Sequence, residues 1–200
     1  MYLAEGAHAC GQHQKAIRLF SLLIADSNTH NPPPIELWTF YLHRGLSLRA
    51  TDLYEQALED YERSAYLNQR SHKPHLNAGI VLGQDLGRHR EALAEFEKAV
   101  NLNPQDVESL MSVALARYEL GAKDEAETIL RQALKTDPTN VLMLYNLGNM
   151  CLNANRLPEA VDMFLRANQV DPHDSDVAQK LAVARSRLPN SSLPQTLQQS

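Results

Sequence analysis

One hydrophobic pattern returns along most of the chain: an alanine followed four residues later by a large apolar side chain. The pairs are Ala16/Phe20, Ala57/Tyr61, Ala92/Phe96, Ala126/Leu130 and Ala160/Phe164. Residues four apart share a helix face, so each pair predicts a helix buried along that face. Seven residues beyond each alanine stand Leu23, Ser64, Ala99, Ala133 and Ala167, the last four small enough to let a neighbouring helix come close. Five residues before each alanine stand Gly11, Asp52, Gly87, Gly121 and Asn155. These residue types tolerate the positive φ that ends a helix, so each predicts a turn between two helices. Pro104, Pro138 and Pro172 then follow the second small residue by five positions and stop the second helix.

The unit reads as helix, tight turn, helix, proline stop. Successive anchor alanines are 41, 35, 34 and 34 residues apart, so the C-terminal half keeps a strict 34-residue period. In the last unit the positions are Leu144, Leu147, Gly148 and Cys151, then Ala160 and Phe164, then Pro172. This run resembles the tetratricopeptide-repeat (TPR) family, whose pattern is W-x2-L-G-x2-Y, A-x3-F, P. The resemblance implies an all-α fold, an α-solenoid in which antiparallel helix pairs stack as a right-handed superhelix with a C-terminal capping helix. It divides the chain into a partial repeat 1–30, a proline-containing insertion 31–37 and repeats at about 38–72, 73–106, 107–140 and 141–174. A capping helix 175–188 follows, with Asp174 as its N-cap and Val177, Leu181, Ala184 and Leu188 on one face. Residues 189–200, without charge, are expected to be a disordered tail. Gly79 precedes its anchor by 13 residues where Gly45 and Gly148 precede theirs by 12, which predicts a one-residue bulge near Gly83 to Asp85.

Composition then narrows the function. The net charge of −5 is spread along the chain, with no basic block to attract nucleic acid. The apolar runs are far shorter than the roughly 20 residues that cross a bilayer, and the N-terminus lacks a signal-peptide pattern. No membrane insertion is expected, and the location expected is cytoplasmic. Cys10 and Cys151 are too few for a disulfide framework and are read as small buried residues. No phosphate loop, H-E-x-x-H pair, nucleophile elbow or paired-cysteine spacing occurs. The reading is therefore of a protein without catalytic residues, metal or cofactor. His72 and His75 lie three apart at a repeat boundary without a cysteine nearby. Asn190-Ser191-Ser192 fits a glycosylation acceptor by chance. The carboxylates Glu55, Glu59, Glu62, Glu91, Glu95 and Glu97 are read as a solvated face.

The resemblance implies a protein-interaction scaffold or adaptor whose concave groove, lined by the first helix of each pair, takes a peptide segment or helix of a partner. By register the groove residues are Leu42, His43, Arg49, His75, Asn77, Glu108, Met111, Ser112, Tyr145, Asn146 and Asn149. Asn77 and Asn146 stand where related proteins carry an asparagine ladder for a peptide backbone; the alternative is that they satisfy local backbone. The basic positions of the Hsp70/Hsp90 carboxylate clamp fall on Leu42, Glu108, Ser112 and Leu142, none cationic, so no such clamp is expected. The second reading is a targeting or regulatory TPR domain of a larger enzyme or multi-subunit complex. Self-association through residues 1–26 is a third.

Overall fold

The computed structural model describes residues 1–27, 29 and 36–188. The expected insertion apart from its last two residues, the expected tail and the glycosylation pattern lie outside them. The described residues contain eleven α-helices and no strand, so the expected all-α class holds. They divide into two compact units, one from Met1 to Leu120 and one from Gly121 onward.

In the first unit, α1 (Tyr2–Ala9) pairs with α2 (His13–Ser27), α3 (Leu37–Arg49) with α4 (Tyr54–Leu67), and α5 (Lys73–Ile80) with α6 (His89–Leu102). Helix α7 (Val107–Glu119) packs on α6 and reaches α5, as α3 reaches α1. In the second unit, α8 (Lys123–Thr136) packs on α9 (Val141–Asn153), which pairs with α10 (Leu157–Val170), and α11 (Ser175–Arg187) closes over both. The anchor alanines 16, 57, 92, 126 and 160 are all fully buried. Their apolar partners Phe20, Tyr61, Phe96, Leu130 and Phe164 are buried as well.

Gly11, Asp52, Gly87, Gly121 and Asn155 are the described residues with positive φ. At Asp52 and Asn155 the chain then donates from Leu53 N to Leu48 O (3.0 Å) and from Arg156 N to Cys151 O (2.9 Å), five residues back. These bonds satisfy carbonyls that a helix end would otherwise leave open. At Gly87 the bond from Arg88 N goes to Leu82 O, six residues back, at 2.7 Å. The extra residue is taken up as a π-helical turn at Val81–Asp85, continuous with α5.

Glycine allows three of the pairs to close. A methyl group at Gly45 would lie 2.6 Å from Tyr61 Cε1, at Gly79 2.5 Å from Phe96 Cδ1, and at Gly148 2.7 Å from Phe164 Cε1. Each ring therefore sits directly on the backbone of the facing helix. The starts of α7, α9 and α11 are capped by Asp106, Asn140 and Asp174, whose side chains accept from backbone amides of the first turn. On α11, Val177, Leu181, Ala184 and Leu188 are buried while Asp176, Gln179 and Arg187 face solvent. That polar outer side is what a terminal unit needs to stay soluble.

Two sequence expectations are corrected. Cys10 is exposed, because it ends α1 at the turn into Gly11, whereas Cys151 is buried and its burial pushes the thiol pKa up. Glu95 is not on a freely solvated face. It accepts from His75 Nδ1 and from Lys98 Nζ, each at 2.7 Å.

Candidate functional site

The predicted binding residues sit on α3, α5 and α7 of the first unit and on α9 of the second. Leu42 is the one that leaves the set. It is 5% exposed and belongs to the core formed with Leu48, Ala57 and Tyr61, because the face of α3 that meets α4 includes position 42. His43, next along α3, is half-buried, its ring stacked on Phe20 at 5.8 Å. Burial, foremost, lowers the pKa of His43 and also of His8, whose Nδ1 lies 2.8 Å from Ser47 Oγ.

Arg49 is held from the π turn. Its Nε donates to Asp85 at 2.5 Å and one terminal nitrogen to Gln84 Oε1 at 3.2 Å. These two partners were not singled out from the sequence, although the extra residue before Gly87 was the signal that the chain does something unusual there. His75 faces Glu95 on α6. Burial works to raise the pKa of Glu95, but the hydrogen bonds from His75 and Lys98 outweigh it and hold the group below its usual range. His72 goes elsewhere, 3.5 Å from Asp106, so the two histidines do not converge.

Asn77 and Asn146 behave alike. Each donates its amide nitrogen to the carbonyl four residues back, Lys73 O at 2.9 Å and Leu142 O at 2.8 Å. One N–H of each amide is thus used on its own helix, in line with the local-backbone alternative. Glu108 is exposed in the first turn of α7, and Met111 and Ser112 are half-buried one turn on. On α9, Tyr145 sets its ring edge-on to Phe164 at 6.0 Å, with Asn146 and Asn149 half-buried beside it.

Arg44, also missed from the sequence, forms the best-defined charged contact of the first unit. Two of its nitrogens donate to the two oxygens of Asp60 at 2.7 Å, and a third donates to Ser21 at 3.1 Å. This fork ties α3 to α4 and α2, so it positions the surface and is not part of it. Desolvation pushes the pKa of Asp60 up against the pull of Arg44.

These features define a class: an all-α protein of helical pairs stacked through small residues, with half-buried polar side chains along the first helices. The comparisons with known proteins make it specific. Tetratricopeptide-repeat family models match residues 84–141 and 124–184. The chain belongs to the tetratricopeptide-repeat family. It is 30% identical over 101 residues to the small glutamine-rich tetratricopeptide repeat-containing protein 2 of Mycosarcoma maydis, covering 50% of this chain and 29% of that one. It is 25% identical over 154 residues to the mouse (Mus musculus) protein O-mannosyl-transferase TMTC3, covering 70% and 17%. Among solved structures, YrrB, a TPR protein with an unusual peptide-binding site, superposes with a TM-score of 0.68 at 19% identity, over 92% of this chain and 90% of that one. The chain thus spans less than a third of the length of the curated relatives it matches.

The fold is one that supports protein–protein interaction, and proteins of this family are generally non-catalytic scaffolds with protein partners. No helix among the described residues is long and apolar enough to cross a membrane.

Proposed function

We propose that the chain is a cytoplasmic scaffold or adaptor that takes an extended or helical segment of a partner on the first-helix surface. On this reading the repeats lie at about 38–72, 73–106, 107–140 and 141–174, with 175–188 as the cap. The observation that carries this reading is that first helices in each unit bear half-buried polar residues, His43, Arg49, His75, Asn77 and Ser112 in the first and, separately, Asn146 and Asn149 in the second. His43, Arg49, His75, Asn77 and Asn146 are anchored by contacts within their own unit yet stay partly open, which gives orientation at little entropic cost. YrrB, with its peptide-binding site on the same fold, supports the reading. Without cations at the clamp positions, the surface does not select a terminal carboxylate as chaperone adaptors do.

Capture of partners from lysate on immobilised protein, with mass spectrometry, tests it. Asn77→Ala with Asn146→Ala should reduce capture while the melting temperature stays nearly unchanged. Equal losses of capture and stability would make both asparagines structural. The likeness to TMTC3 favours a second reading, a TPR segment within a larger enzyme, which a reading frame extending into a catalytic domain would establish.

A further inference from the structure

Between successive second helices the fold leaves a cleft, and in the second unit this cleft has an unusual charge. It lies among α8, α9 and α10 as a shallow, largely open depression of about 290 Å³. Leu134, Leu147 and Met163 form its buried floor, and Arg131, Lys135 and Arg166 stand around it. No carboxylate among the described residues lines it, although the chain as a whole carries a net charge of −5.

The corresponding cleft of the first unit, among α4, α5 and α6, encloses about 280 Å³ and is lined by Glu62, Glu91 and Glu95 as well as Arg88, Lys98 and His75. Counted from the anchor alanines, Arg131, Lys135 and Arg166 hold the places of Glu62, Tyr66 and Lys98 there. The same places in the α6 and α8 sequences are Glu97, Asn101 and Gln132. Arg131 and Lys135 therefore depart from the repeat, whereas the place of Arg166 is also cationic in α4 and α6, as Arg63 and Lys98.

Their engagement within the protein is uneven. Arg131 is shared between Glu127 at 3.4 Å and Glu159 at 2.8 Å. Arg166 donates to the carbonyl of Pro138 at 3.2 Å and towards the Met163 sulfur at 4.0 Å. Among the described residues no carboxylate pairs with Lys135 or Arg166, and Asp162, one turn before Arg166, forms no ion pair with it. Two cations are thus left with unspent charge beside a small apolar floor. A space of this size is at the lower limit of small-molecule pockets, which begin near roughly 300 Å³, and suits one or two side chains of a polypeptide.

We infer that the cleft among α8, α9 and α10 is a second docking site, for an acidic protein segment whose glutamates or aspartates meet Lys135 and Arg166. Its cations stand on the second helices α8 and α10 and are none of the first-helix residues proposed above. The test uses a fluorescein-labelled peptide in which glutamates flank a single leucine, with its all-glutamine counterpart as control, read by fluorescence anisotropy. The acidic peptide should bind, and bind more weakly when salt rises from about 50 to 300 mM. Lys135→Glu with Arg166→Glu should weaken it at least about tenfold, while Arg185→Glu with Arg187→Glu, the same charge change on exposed α11, should cost less than about twofold. Lys135→Gln with Arg166→Gln, a milder change, should weaken it in the same direction if the reversal disturbs folding by circular dichroism. The inference is overturned if the glutamine peptide binds equally well, if the two charge reversals weaken binding alike, or if the acidic peptide does not bind. Loss of binding in Asn77→Ala/Asn146→Ala with retention in Lys135→Glu/Arg166→Glu would also overturn it, and would assign the peptide to the first-helix surface.

Discussion

Replacing Gly148 by alanine sets two known effects against each other. Alanine is the better helix former, by about 1 kcal/mol in a helix interior. Against this, the new methyl would lie 2.7 Å from Cε1 and 2.9 Å from Cδ1 and Cζ of Phe164. Carbon atoms pack comfortably at about 3.5–4.0 Å, so the ring has to retreat by most of an ångström. Phe164 is fully buried, with Tyr145 against it, and cannot swing into solvent. Overpacking of this kind costs about 1–3 kcal/mol, so after the gain in helix propensity the net expectation is a loss of up to about 2 kcal/mol. The chain itself suggests the compensating change: where position 114 is alanine in the register of Gly148, the apolar partner of the anchor is Leu130 and not an aromatic. Phe164→Leu should therefore cost less when combined with Gly148→Ala than when made alone, with a coupling of about 1 kcal/mol. Urea unfolding of the parent chain, the two single variants and the double variant measures it. Hydrogen exchange in α9 and α10 gives a local readout, since stacked repeats need not unfold as one. A higher midpoint for Gly148→Ala would show that propensity alone decides, and would refute the close approach of helix and ring.

Tyr61→Phe should raise stability by about 1 kcal/mol in thermal melts, because the buried Tyr61 hydroxyl has no hydrogen-bond partner and the equivalent residues 96 and 164 are phenylalanine. Stability should also fall between about pH 7.5 and 5.5. Burial lowers the pKa of His8 and His43 in the fold, so the unfolded chain takes up protons first; their contribution is complete above the unfolded value and is lost as pH falls from it through the lower folded-state values. His8→Gln with His43→Gln should flatten the urea midpoint over that range, and an unchanged slope would show that these two rings do not carry the effect.

The turns and the core were legible because they depend on local chemistry. Gly11, Asp52, Gly87, Gly121 and Asn155 have to accept positive φ whatever surrounds them, and a residue on the anchor face has only one way to be buried. Contacts between pairs were not legible in that way. Arg44 reads as one more polar residue on α3 until Asp60 and Ser21 arrive from two other helices, and Glu95 reads as solvated until His75 faces it. The binding set suffered from the same limit at its edge: Leu42 and His43 are neighbours, yet one belongs to the core and the other is half open. A rotation of about 100° per residue separates them, and spacing alone does not say where the face ends.

The π turn at Val81–Asp85 has a consequence for kinship between repeats. An added residue would ordinarily be assigned to the turn at Gly87, since loops accept insertions most readily. Here it has been absorbed within the helix, so Gly79 keeps its seat against Phe96 and Gly87 keeps its place before Ala92. The gap in any alignment of this repeat with its siblings therefore belongs between residues 81 and 85. Placed one turn later, it would exchange the ancestry of Gln84 and Asp85, the two residues that hold Arg49.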